Sequence, residues 1–136
     1  WIGILELSTG KLTCSNAGHE FPVLKHAGGE FEIIKDRHGF VVGGFDDSEY
    51  TEYELQMEPG AQLFVYTDGI PEAMNKDREQ FGTARMVKAL NREPGAGPEK
   101  LLKNIREAVD DFVEGAEQSD DITMMAIQYF GPGLKD

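Results

Sequence analysis

Three short stretches of this chain combine residue types that can do chemistry. Tyr66-Thr67-Asp68-Gly69-Ile70-Pro71-Glu72-Ala73 puts a carboxylate directly after an apolar run, followed by a glycine that frees the backbone to turn and a short helical start. A carboxylate so placed is rigid on one side and open on the other. That suits a hard divalent cation, whose oxygen ligands must be held while one coordination position stays accessible. Asp-Gly is also ordinary turn chemistry, and on this stretch alone the turn is the commoner reading. Ser119-Asp120-Asp121-Ile122-Thr123 sets two carboxylates at the mouth of the last apolar run. Neighbours on an extended chain point to opposite faces, so only one of the pair can enter a given cleft. Either can equally end the preceding helical region or face solvent. In Asn16-Ala17-Gly18-His19-Glu20-Phe21-Pro22 a glycine beside a histidine can present an imidazole to a substrate or a metal. Such a histidine more often holds a loop, and no second histidine lies at ligand spacing, His26 and His38 standing in other loops. Cys14 sits in an alternating apolar stretch with no basic partner evident nearby, which reads as a small buried side chain rather than a nucleophile.

The elements that must position these residues follow from periodicity. Residues 1–7 and 11–16 are β-rich runs joined by the polar turn Ser8-Thr9-Gly10-Lys11, and Pro22 to His26 meets Glu30 to Lys35 across Gly28-Gly29, so two hairpins are expected. Residues 36–48 are loop-like, an extended run spans Glu49 to Gln56, and Pro59-Gly60 turns the chain into Gln62 to Thr67. This last run is apolar on both faces, as an inner strand packed on two sides must be. Met86, Val87 and Leu90 then share a helical face, and Leu101, Leu102, Ile105, Val109 and Phe112 follow helical spacing over three turns, with Pro98 at a tolerated first-turn position and Gly115 at a stop. The breaker cluster between them is too short to separate two cores. Ile122 to Tyr129 returns to strand, and residues 131–136 read as a frayed tail. Strands first, two helices next and a strand last predict an α+β fold, helices covering a mostly antiparallel sheet.

Bulk composition narrows the function classes. The 136 residues, 40% hydrophobic, suffice for one domain. A net charge of -12 argues against nucleic-acid and anionic-membrane binding, and points weakly toward divalent cations. A single cysteine makes no internal disulfide and fits a reducing cytoplasm, and no run approaches a membrane span. The chain opens directly on a strand-like run, Trp1 to Leu7, which reads as a start inside a fold.

Taken in order, Asn-Ala-Gly-His, a β segment, Pro-Gly, an apolar strand, Tyr-Thr-Asp-Gly-Ile-x-Glu-Ala-x-Asn, two amphipathic helices and Asp-Asp-Ile-Thr resemble the SpoIIE-type, RsbU-like branch of the PPM metal-dependent serine/threonine protein phosphatases. The resemblance covers Trp1 to about Tyr129, and is strongest over Tyr66 to Asn75 and Ser119 to Thr123. It implies a mostly antiparallel β-sandwich flanked by helices, here as a partial domain over residues 1–130. It also implies that Asp68 and Asp120 bind one of two manganese or magnesium ions. Asp121, where many relatives have asparagine, would orient the site or bond the backbone, with Asn16, His19 and Gly69 supporting the loops. His19 stands where eukaryotic-type relatives carry an aspartate linked to an auxiliary metal. The implied reaction is in-line attack of metal-activated water on a phosphoserine or phosphothreonine of a small regulatory protein such as an anti-sigma-factor antagonist. Relatives carry the bridging aspartate and the second metal's other ligands on an earlier Asp-x-Ser-Gly-Lys-Gly-like segment that precedes Trp1 in the family pattern. The chain alone is therefore expected to bind metal weakly at most, to be inactive or nearly so, and to self-associate through uncovered sheet edges. The alternative is a non-catalytic interaction domain that keeps the phosphatase shell.

Overall fold

The computed structural model describes residues 1–36, 38–118 and 120–133. The first half of the chain forms six strands: β1 Ile2–Glu6, β2 Lys11–Ser15, β3 Val23–Lys25, β4 Phe31–Ile33, β5 Glu52–Gln56 and β6 Gln62–Tyr66. Helices α1 Gly82–Leu90 and α2 Pro98–Val113 follow, then β7 Met124–Gln128. Both expected hairpins form, β1 with β2 and β3 with β4. The strands separate into two antiparallel sheets, one ordered β1-β2-β5 and the other β4-β3-β6-β7.

The two sheets face each other and the helices cover the second, giving three layers. Between the sheets lie Leu12, Cys14, Leu24, Met57, Ala61, Leu63 and Tyr129. Between the second sheet and the helices lie Val23, Phe31, Phe64, Tyr66, Met86, Leu90, Leu101, Ile105 and Val109. β6 is therefore packed on both faces, Leu63 toward one layer and Phe64 toward the other. That is why its sequence does not alternate. Fully buried Phe64 alone contributes roughly 2–3 kcal/mol of burial free energy.

Proline opens α2 at its first turn, and the helix ends at Val113 with Gly115 just past the C-cap Glu114, where a helix-ending glycine is expected. Glu114 itself adopts the left-handed conformation, φ 50°, with Gly115 following at φ 75°. The last strand is shorter than its hydrophobic run, spanning Met124–Gln128 rather than Ile122 to Tyr129, and the residues before it bond Thr67 through both its backbone and its hydroxyl. β5 likewise starts at Glu52 rather than Glu49. Of the tail, Gly131 packs near Pro59, and 134–136 lie outside the described residues. Among the described residues no helix is long and apolar enough to cross a membrane.

Candidate functional site

The two aspartate stretches meet where β6 and β7 end. These strands pair from Gln62↔Gln128 to Tyr66↔Met124, so the residues just beyond Tyr66 and just before Met124 emerge side by side. Thr67 joins them. Its backbone N–H donates to Thr123 O at 3.0 Å, and its hydroxyl donates to Asp121 O at 3.1 Å while accepting the Thr123 N–H at 3.0 Å. One side chain thus satisfies polar backbone groups that the ladder leaves open.

Gly69 allows the close approach. A Cβ on Gly69 would sit 2.3 Å from Asp121 O and 2.9 Å from its carbonyl carbon, so any side chain there pushes the Asp120-Asp121 segment away. The chain after Asp68 closes a helix-like turn, with the Glu72 N–H on Asp68 O at 2.9 Å and the Ile70 N–H on Thr67 O at 3.2 Å. Asp68 and Asp120 are both exposed. Asp120 Oδ1 accepts the Asp121 N–H at 2.7 Å, and Asp120 O accepts from Gln118 Nε2 at 2.8 Å. Asp121 takes part through its backbone, as acceptor from Thr67 and donor to Asp120. Asp120 lies in a bend and Asp121 follows it outside any strand, two residues short of β7. Ser119 lies outside the described residues.

The histidine stretch forms the facing wall. Asp68 lines a cavity of about 130 Å³ with Thr67, Gly18, His19 and Glu20. Asn16 is buried and closes the loop on itself: Nδ2 donates to His19 O at 3.1 Å and Oδ1 accepts the His19 N–H at 2.9 Å. His19 Nδ1 lies 3.1 Å from Glu20 O, so the imidazole holds the loop while bordering the cavity. Gly18 adopts φ +83°, and a Cβ there would lie 2.9 Å from the Val41 backbone, which only glycine tolerates. The structure thus gathers Asn16, Gly18, His19, Thr67, Asp68 and Gly69 around one end of β6.

Some members of this neighbourhood gave no sequence signal. Asp36, its side chain only 1% exposed, accepts from Asn16 Nδ2 at 3.2 Å and lies 3.2 Å from His38 Nδ1. It is twenty residues from Asn16 and in no motif, so only the fold reveals that it anchors the loop. Glu20 was legible only as a neighbour of His19. Burial pushes the Tyr66 phenol up, and the charge of Glu20 and its hydrogen bond add to this, tying the end of β6 to the cavity wall. Cys14 is buried and its thiol is pushed up to about 11, chiefly by burial, leaving little thiolate at neutral pH.

Asp68 and Asp120 offer hard oxygens of the kind manganese and magnesium take. Among the described residues, no three His, Cys, Asp or Glu side chains are placed together to hold a metal ion. The donors fit such an ion in kind and fall short in number.

Comparison with known proteins places this geometry. The family model described as stage II sporulation protein E (SpoIIE) matches residues 1–130. Protein IcfG of the cyanobacterium Synechocystis sp. is 33% identical over 127 residues, covering 93% of this chain and 20% of that protein. The phosphatase domain of the cell fate determinant SpoIIE from Bacillus subtilis, presoaked with manganese, superposes with a TM-score of 0.73 at 16% identity, covering 99% of this chain and 57% of that one. The RsbU and RsbW domains of a Mycobacterium tuberculosis protein superpose with a TM-score of 0.75 at 19% identity, over 97% of this chain and 36% of that one. The chain thus spans about a fifth of its cyanobacterial relative and little more than half of the Bacillus domain. With its two antiparallel sheets, its covering helices and the family match over residues 1–130, the chain belongs to the SpoIIE family of PPM phosphatase domains.

Proposed function

We propose that this chain is part of a domain, residues 1–130, that hydrolyses phosphoserine or phosphothreonine on a small regulatory protein, such as an anti-sigma-factor antagonist in the cytoplasm. Asp68 and Asp120 are its ligands for one of two manganese or magnesium ions, and 131–136 form a tail. The observation that carries this reading is the junction of Thr67 and Gly69 with Asp121, which sets both aspartate segments at one end of the sandwich. A bound ion would supply activated water and neutralise the phosphate. The chain's own part is to hold the two carboxylates at the sheet end, with the Asn16 loop as facing wall. Because two carboxylates and water are a weak donor set for an ion that prefers six fixed oxygens, these 136 residues alone are inactive or nearly so.

The test is manganese-dependent hydrolysis of an aryl phosphate by a longer form of the protein that spans the full length of the SpoIIE phosphatase domain, of which this chain covers 57%. Asp68→Asn and Asp120→Asn should each lower the rate on the order of a hundredfold. Unchanged rates in both variants would sink the assignment. The second reading, a non-catalytic interaction domain, draws on the exposed apolar loop Phe40, Val41, Val42 and Phe45 beside the Asn16 loop. It predicts that the longer form binds its partner and shows no manganese-dependent hydrolysis at all.

A further inference from the structure

The helical layer carries a charge pattern unlike the rest of the molecule. Residues 82–113 hold six basic and five acidic side chains, in a chain whose net charge is -12. Three of the six bases, Arg85, Lys88 and Arg92, fall at i, i+3 and i+7 and therefore on one face of α1 and its C-terminal end. They border a groove of about 490 Å³ between α1 and α2 whose floor includes Phe81, Ala89 and Ala108.

Two of the three rim cations have no carboxylate partner among the described residues, and the third has only a long, shared one. Arg85 spends Nη1 on the carbonyls of Gln80 and Phe81, both at 3.0 Å, and its guanidinium lies 4.7 Å from the Phe112 ring centroid, so it is fixed in place without a carboxylate partner among the described residues. Lys88 pairs with no carboxylate among the described residues. Arg92 has Glu107 at 3.9 Å, a carboxylate that Lys103 shares at the same distance. Such exposed pairs are weak and screened by solvent, so a competing carboxylate can replace them. An apolar floor under a basic rim only weakly compensated by Glu107 matches a segment with apolar side chains at helical spacing and carboxylates beside them. The net charge of -12 disfavours an anionic lipid surface as the occupant.

We propose that the α1–α2 groove docks an acidic amphipathic segment of a partner protein, its apolar side chains on Phe81, Ala89 and Ala108 and its carboxylates on Arg85, Lys88 and Arg92. The site is separate from the sheet end that carries Asp68 and does not depend on the phosphatase reading. The test titrates the protein into a fluorescently labelled synthetic helix with leucines at i, i+3 and i+4 spacing and glutamates beside them, and follows anisotropy. Saturable binding is expected. It should weaken at least about tenfold in the double variant Lys88→Glu, Arg92→Glu and as salt is raised, and be lost when the glutamates are replaced by lysines. Ala108→Trp, which fills the groove and leaves the rim intact, should also abolish it, and this decides the matter if the charge reversal disturbs α1. Asp68→Asn should leave binding unchanged. No saturable binding of the acidic helix, equal binding by its lysine counterpart, or full binding by Ala108→Trp would overturn the proposal. So would phosphatidylserine vesicles that bind where the acidic helix does not, since that assigns the rim to a membrane.

Discussion

At the scale of single residues, the site turns on a missing side chain and a hydroxyl. Gly69 is not in the left-handed region, so its requirement is space: a Cβ there would lie only 2.3 Å from Asp121 O. Gly69→Ala should cost about 1–3 kcal/mol, the range for overpacking a tight contact. It should also separate the two aspartate segments. Urea denaturation reads the first effect. Manganese titration of the longer form reads the second, as a weaker affinity; an unchanged affinity would show that the approach of Asp121 to Gly69 does not set the metal site. Cys14 offers a check on the inter-sheet core. Its thiol pKa is raised to about 11 by burial, above the ordinary ~8.5 of an unfolded chain. A raised pKa means that the folded state holds its proton more tightly. The associated stability is fully present below about pH 8.5 and is lost as pH rises toward 11. Iodoacetamide at pH 8 should therefore label Cys14 slowly in the native protein and rapidly in urea. Equal rates would mean that the two sheets do not close over it.

At the scale of elements, the helical layer is fastened to a sheet edge by one amide. Asn91, just after α1, donates from Nδ2 to Phe31 O at 3.1 Å and accepts the Phe31 N–H on Oδ1 at 2.7 Å. The side chain stands in for a neighbouring strand along the outer side of β4, and it blocks further pairing there. Asn91→Ala leaves both Phe31 groups without this partner and should destabilise the fold by about 1–3 kcal/mol, measurable as a lower urea midpoint. Asn91→Asp keeps the acceptor, loses the donor and should fall between the two. If Asn91→Ala is neutral, α1 is held by its apolar face alone.

At the scale of the whole molecule, the three layers are unequally covered. The sheet β4-β3-β6-β7 has apolar layers on both sides, whereas β1 is an end strand whose Ile2 and Ile4 are 61% and 67% exposed. An apolar edge of this kind recruits another strand. We expect the 136-residue chain to self-associate through β1, with light scattering showing a mass above 15.1 kDa that falls when Ile2 and Ile4 are both changed to lysine. A monomer in both forms would remove the edge as an interface.

How much of this could be read from the sequence divides along physical lines. Two hairpins, a strand buried on both faces and two amphipathic helices were legible, because period and turn chemistry are properties of neighbours along the chain. The positions of Asp68 and Asp120 at strand ends were legible for the same reason. Nothing local in Glu52–Gln56 says that it pairs with Lys11–Ser15 rather than with Val23–Lys25, so which strand joins which sheet of the sandwich was not. Nor was the buried carboxylate of Asp36 under Asn16, or the Thr67 hydroxyl that binds one aspartate loop to the other. The sequence by itself determined which residue types stand at which element ends. Only the tertiary structure decided which ends meet, since choosing among distant partners depends on the burial and hydrogen bonding of the whole chain at once.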